Sequence, residues 1–485
     1  MVTKMIFLKV IFSGVIFTRG IFFRIIFLLF FISSSALAVP DIQIWQTEKG
    51  ANVYFVEANE LPIVDIQIIF DAGSARNGNH AGLAALTNSL LDEGAAGLSA
   101  DQISQGFDDL GANYGGSAGY DSASVSLRSL SDPEILDPAL INLARVLVKP
   151  DFPEDALTRQ KNRTLIGIRN KQQSPGTLAK DAFFAEVFKG HPYAVPGSGT
   201  EESINTLQRR DVVEFHKRYY VSKNATIAIV GDLTKTQAKV MVEKLLKELP
   251  TGEKPQAIPT VQALEKPATV RIDHPSTQTH ILLGQTGMKR GDLDYFPLYV
   301  GNHVLGGGGM VSRLFAEIRE KRGLSYSANS YFSPMRENGT FTASLQTRAD
   351  QAEEALTILR DNLKIFIKHG PTETELEASK KNITGGFPLR LDSNSKIIGY
   401  IGMIGFYSLP KNYLETFNAN VNAVTIDQIK DAFKRRLSPE TFVTVMVGPR
   451  SGEKGSEKDG SEKDGLEKDR PEESTQETNQ SGGSS

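Results

Sequence analysis

Apolar positions along this chain recur with two periods, and segments of the two kinds alternate. Period-two runs predict strands at 63–70 and 122–130, the second reading Ser-Val-Ser-Leu through its middle. The unbroken apolar run ATIAIV at 225–230, closed by Gly231, predicts a buried strand. Residues 41–56 read as two strands around a turn at Lys49-Gly50. Between these, a 3.6-residue period predicts helices over 81–91, 100–110, 137–148, 154–171, 179–188, 211–219 and 234–249, the second opened by Ser99 or Asp101. The stretch GHPYAVPGSGTEESI at 190–204 reads as a loop.

Residues 250–267 carry four prolines and no period, and after them the pattern starts again. Strands are predicted at 281–283, 339–346 and 441–447, and helices over 293–305, 352–368, 373–383 and 426–435. Strand 339–346 resembles 122–130, and 441–447 resembles 225–230. The glycines that close the latter pair, Gly231 and Gly448, stand 217 apart, and Phe215 and Phe433 stand 218 apart. Two landmarks at nearly one offset, with a shared order of elements, imply an internal duplication. The fold class expected is α+β: two homologous domains, 39–249 and 268–450, each a mostly antiparallel sheet packed with helices, joined by a linker at 250–267.

One stretch of the second half is ordered differently. LGGGGMVSRLFAEIREKRGLSYSANSY, residues 305–331, sets four glycines before a helix whose apolar face is Val311, Leu314, Phe315 and Ile318. A charged turn at 319–322 follows, Gly323 stops the helix, and 324–331 reads as a strand.

Composition narrows the function. The 485 residues are 40% hydrophobic and 23% charged, with a formal net charge of −3, which gives no electrostatic case for binding nucleic acid. There is no cysteine, so disulfides, zinc–thiolate sites, a cysteine nucleophile and a lipidated cysteine are excluded. Residues 1–38 read as a secretory signal peptide: basic residues among Phe and Ile, the apolar run IIFLLFFI at 25–32, and Ala36-Leu37-Ala38 as a cleavage pattern. The other reading is an uncleaved anchor, but the apolar run falls short of the roughly 20 residues a spanning helix needs. The expectation is an exported protein, in a bacterial periplasm, with no stable membrane span after cleavage. Residues 451–485, with the near-repeat GSEKDGSEKDGLEKD, lack apolar anchors and are expected to be a disordered tail.

The stretches DAGSARNGNHAGLAALTNSLLDEG, GHPYAVPGSGTEESI and LGGGGMVSRLFAEIREKRGLSYS, in this order, resemble the pitrilysin/insulinase family of zinc peptidases, in its short processing-peptidase-like form. The resemblance spans about 41–448 and implies a pair of domains like those of processing peptidases and LuxS-type metallopeptidases. Family enzymes carry H-x-x-E-H on the first long helix, which places two imidazoles and a glutamate on one helical face. Here the family pattern maps the two histidines onto Ala85 and Ser89 and the glutamate onto Asn88. The later glutamate ligand falls at about Gly167. None of the seven histidines stands four from another, so neither H-x-x-E-H nor H-E-x-x-H occurs in the chain. No metal is expected in this chain. His80 and His191 have no partner of this kind, and His191 in GHPY reads as a loop-packing residue.

Other chemistries fare worse. The string GGSAG centred on Ser117 resembles a nucleophile elbow but reads as a flexible turn before the strand at 122–130. The four glycines lack the Lys and Ser/Thr of a phosphate loop. What the resemblance leaves is an Arg and a Tyr seven residues apart that bind substrate backbone opposite the zinc; they map onto Arg319 and Tyr326. Read without the family, Arg319 is a helix-end charge and Tyr326 a core aromatic, and Arg322 is a solvated charge. The expectation is a non-catalytic subunit of a heterodimer. It would supply Arg319 and Tyr326 to a zinc-bearing homologue that hydrolyses peptides. A peptide-binding or structural scaffold with no proteolytic role is the alternative, and an active peptidase with a rebuilt metal site a distant third.

Overall fold

The computed structural model describes residues 39–449; the expected signal peptide and the expected tail lie outside the described residues. In the first half, strands β1 (Gln43–Gln46), β2 (Asn52–Glu57) and β3 (Ile63–Phe70) are followed by a two-residue ribbon, β4 (Gly94–Ala95) with β5 (Leu98–Ser99). Then come β6 (Asn113–Ala118), β7 (Ala123–Leu130) and β8 (Ala225–Gly231). Apart from the ribbon they form one sheet, ordered β1-β2-β8-β3-β7-β6. The second half contributes β9 (Ala268–Asp273), β10 (Gln278–Thr286), β11 (Ala328–Ser333), β12 (Thr340–Arg348) and β13 (Val443–Gly448). Their order, read from β9, is β9-β13-β10-β12-β11.

The two orders superimpose. β2 corresponds to β9, β8 to β13, β3 to β10, β7 to β12 and β6 to β11, and each sheet has its one parallel pair at the same place, β2 with β8 and β9 with β13. The duplication expected from Gly231 and Gly448 is therefore a duplication of topology. Most expected helices form within a few residues of their expected bounds: Ala100–Asp108 is opened by a Ser99–Gln102 capping box, and Arg209–Tyr219, Ala352–His369 and Ile426–Arg436 bury one face each.

Four expectations are corrected. Asn113–Ala118, read as a glycine-rich turn, is the edge strand β6, held in register by β7; Ser117 meets Ser124 across that ladder, with hydroxyls 3.1 Å apart. The loop expected over 190–204 closes into the helix Glu201–Thr206, capped by Thr200. The helix expected after the glycines is broken into a 3₁₀ turn (Gly309–Val311), one α turn (Arg313–Phe315) and a π turn (Ala316–Glu320). Leu314, Phe315 and Ile318 are buried as expected, but Val311 is 75% exposed, because the 3₁₀ turn rotates it off their face. Lastly, the strand expected over 324–331 begins only at Ala328. Ser325 Oγ lies 2.6 Å from the Ser327 carbonyl and 2.7 Å from the Gln346 carbonyl, sharing its one proton between them, which pins a turn after Gly323 (φ +63°).

Two helices tie the halves together, and they occupy equivalent places in the duplication. Pro175–Val187 and Asn394–Phe406 are each 13 residues long and are offset by 219 at both ends. The first lies on the second-half sheet, where Ala179, Phe183 and Val187 pack with Val443, Val445 and Val447. The second lies on the first-half sheet, where Ile397, Ile401 and Ile404 pack with Val56, Ala228 and Val230. Gly402 and Gly405 permit that approach: a Cβ at Gly405 would stand 2.6 Å from the Tyr54 ring, and one at Gly402 would stand 2.8 Å from Gln67 Oε1. The proline-rich stretch after Pro250 is also packed down. Ile258 and Val261 are buried beside Phe183, and Arg76 Nη1 donates to the Gln256 carbonyl at 2.6 Å. Among the described residues, no helix is long and apolar enough to cross a membrane.

Candidate functional site

The short helix Leu83–Ser89 starts at Gly82 in a left-handed conformation (φ 92°) and packs between β6 and the helix Arg209–Tyr219. It is the helix onto which the family pattern was expected to map a degenerate metal site, and its side chains are bonded to the surrounding chain. Asn88 is only 4% exposed; its Nδ2 donates to the Ser124 carbonyl at 3.1 Å and to the Tyr220 hydroxyl at 3.3 Å. Burial pushes the Tyr220 phenol up, and the Asn88 bond lowers it only in part, so Tyr220 stays protonated. Ser89 Oγ donates to the Leu86 carbonyl at 3.0 Å, and Ala85 offers no ligand atom. Gly167 lies on the facing helix Glu154–Gln172, where an added Cβ would meet nothing within 4 Å.

The surroundings of this helix are arranged around a different charge. Glu93 accepts from Arg159 Nη2 (2.9 Å) and from Gln160 Nε2 (2.5 Å), with Arg163 at 3.6 Å. His80 is exposed. His191 is buried: its Nδ1 accepts from the Tyr193 amide (3.1 Å), so its Nε2 is the N–H that donates to the Pro259 carbonyl (2.8 Å). It packs the loop, as expected. These donors do not fit a zinc ion. Among the described residues, no group of three His, Cys, Asp or Glu side chains could hold a metal.

The second-half unit is its opposite. Arg319, on the π turn, places its guanidinium carbon 4.3 Å from the Tyr326 ring centroid and 4.9 Å from that of Phe315. Phe315 is buried and Tyr326 is 75% exposed, so Tyr326 is no core aromatic. The pair expected from the sequence does come together. Among the described residues, the Arg319 guanidinium has neither a carboxylate nor a hydrogen-bond acceptor. Its neighbours are committed: Arg322 Nη1 donates to Glu317 at 2.8 Å and Lys321 Nζ does so at 2.5 Å. Arg322 is thus paired rather than merely solvated. Arg313 forms a two-bond pair with Glu375. Burial raises the Glu375 carboxyl, but Arg313 and the Thr372 cap outweigh that and hold it at about 2.

A cleft of about 940 Å³ separates the halves at Tyr120, Lys180 and Phe184 on one wall and His280, Asn329 and Gln346 on the other. Ser327, next to Tyr326, is at its margin. At its end Asp121, 6% exposed, accepts from both halves: from the Tyr193 hydroxyl, the Tyr407 hydroxyl (2.9 Å) and the Arg336 amide (2.8 Å). Sequence reading missed this junction, since nothing local to Asp121 marks partners 72 and 286 residues away.

Comparison with known proteins gives two adjoining family matches. Residues 53–201 match a family model described as insulinase, peptidase family M16, and residues 206–383 match one described as the peptidase M16 inactive domain. A crystal structure of a peptidase M16 inactive domain from Pseudomonas fluorescens is 40% identical, covers 85% of this chain and 99% of its own, and superimposes with a TM-score of 0.82. A non-peptidase homolog, YmxG, of Helicobacter pylori is 26% identical over 428 residues, 87% of this chain and 96% of its own. An uncharacterized zinc protease of Rickettsia bellii is 27% identical over 393 residues, 80% and 93% of the respective chains.

Proposed function

The chain belongs to the M16 peptidase family, as an inactive-type member, and from that membership we propose that it is an exported, non-catalytic subunit that pairs with a zinc-bearing homologue. In that complex the partner's zinc would do the hydrolysis. This chain supplies hydrogen-bond donors to the peptide being cut. The observation that carries the reading is Arg319: a permanent cation whose guanidinium carbon lies over both the Phe315 and the Tyr326 rings, with its N–H groups unclaimed. Stacking on rings fixes the plane of a guanidinium without using its donors. Such a fork can bind a peptide carbonyl, and the exposed Tyr326 hydroxyl can donate beside it. Both are placed before binding, so little is lost in ordering them.

The test is co-expression with an H-x-x-E-H homologue and measurement of peptide cleavage by each chain and by the pair. Activity is expected only in the pair, and it should fall in Arg319→Ala and Tyr326→Phe without loss of pairing. Cleavage by this chain alone, with bound zinc, defeats the reading. Full activity of the pair carrying both substitutions favours a scaffold instead.

A further inference from the structure

We propose that a second cleft, framed by Arg290 and Arg390 beside the glycine run, binds the carboxylate of a peptide. This cleft of about 500 Å³ lies wholly within the second half, and its lining includes no aspartate or glutamate. It contains two guanidinium groups. Arg290 has no hydrogen-bond or carboxylate partner among the described residues; its Nε is shut off from solvent and still unbonded. Its guanidinium carbon lies over the Tyr407 ring, 5.7 Å from the centroid. Arg390 is engaged by two phenols and no carboxylate: it donates to the Tyr299 hydroxyl (3.1 Å), which burial pushes up and so keeps neutral, and it also meets the Tyr400 hydroxyl.

Carboxylates close in sequence are already taken. Asp292 pairs with Arg436 (2.6 Å), Asp294 with Arg435 (2.7 Å) and Asp392 with Lys396 (2.9 Å). His303, also in the lining, is held between Ser379 (2.9 Å) and Asn382 (3.2 Å). With no acidic side chain in its lining the cleft carries an uncompensated positive charge, and a buried N–H without a partner is a further cost. An anion relieves both. Guanidinium forks match the two oxygens of a carboxylate. The flanking walls, Tyr295, Phe332 and Pro334 among them, suit the chain on either side of that carboxylate and not a bare ion. The carboxylate could be a peptide's C-terminus or an internal acidic side chain; the chemistry is the same.

The experiment uses the purified full-length chain alone, so its outcome is independent of any zinc-bearing partner. A fluorescent peptide with one internal Glu and a free C-terminus is titrated by anisotropy, alongside its C-terminal amide, its Glu→Gln form and the doubly neutral form. The parent should bind, and the doubly neutral peptide should bind roughly tenfold more weakly or worse, as should the parent to Arg390→Gln and Arg290→Gln. The singly neutral peptide that loses affinity identifies which carboxylate is held. Arg390 is exposed, so Arg390→Gln should melt as wild type does and keeps the test valid if Arg290→Gln misfolds. The proposal is overturned if the doubly neutral peptide binds as the parent does, or if a well-folded Arg390→Gln chain binds the parent unchanged. It is also overturned if inorganic phosphate, at equal concentration, protects the chain from thermal unfolding as well as the peptide does.

Discussion

Helix Leu83–Ser89 and the segment from Gly309 to Tyr326 are the two places where this fold could carry chemistry, and they treat polar groups in opposite ways. In the first, Asn88 and Ser89 are bonded into the surrounding chain, and Glu93 next door is surrounded by arginines. In the second, half-buried Arg319 lies over two rings and has no acceptor of its own among the described residues. The polar side chains of the first region are absorbed into the packing, where they stabilise the fold. A side chain kept for a ligand has to be held in place without being satisfied.

The largest expected effect tests the second region. In the complex with a zinc-bearing homologue, Arg319→Ala should lower kcat/KM about 100-fold, the scale of removing one donor from a charged transition state. The next tests the first half by pH. His216 is buried, its Nε2 donating to the Leu147 carbonyl at 2.9 Å, and burial lowers its pKa to about 4, with the Leu147 bond only partly opposing. The unfolded chain binds this proton near pH 6.5. Stability from a neutral His216 is therefore complete above about 6.5 and lost as pH falls towards 4, roughly 2–3 kcal/mol in all. A His216→Phe variant should melt with a flatter dependence on pH over that window.

Asn88→Ala should cost about 2 kcal/mol in urea unfolding, since it removes a buried amide that donates both to the Ser124 carbonyl and to the Tyr220 hydroxyl and leaves a small void in its place. Glu375→Gln should cost about 1 kcal/mol at neutral pH, after allowance for partial exposure. Its carboxyl is held at about 2, so wild-type stability from this group is present above about 4.5 and lost as pH falls through 2, and the variant should lack that loss. Smallest of all, Arg319→Ala should shift unfolding by less than about 0.5 kcal/mol, because Arg319 is only half-buried and, among the described residues, makes no ion pair or side-chain hydrogen bond. A large stability loss there would make Arg319 a structural residue and erase the contrast.

Much of this was legible in the chain. Ile63–Phe70 forms where its alternation put it, and the Gly231–Gly448 pair did mark equivalent strand ends. The Arg319–Tyr326 spacing was singled out through the family pattern, and the proximity of that pair is now a distance. What stayed hidden depends on partners far away in sequence. Asn113–Ala118, with two glycines and little alternation, is a strand because β7 offers it a ladder. Asn394–Phe406 carries three glycines and no clear polar face, and its helix is explained by the sheet of the other half. Arg290 and Arg390 are 100 residues apart, and neither stands out until the cleft is seen.

The crossed helices have a consequence for synthesis. The first-half sheet is complete once Gly231 has been made, but the helix that covers one of its faces ends at Phe406. At about 5–20 residues per second, those intervening 175 residues take roughly 10–35 s. For that interval a face that includes Val56, Ala228 and Val230 has no cover from its own chain. The nascent protein must be shielded by something else, and a chain truncated before residue 394 should be a client of chaperones and proteases, not a working half.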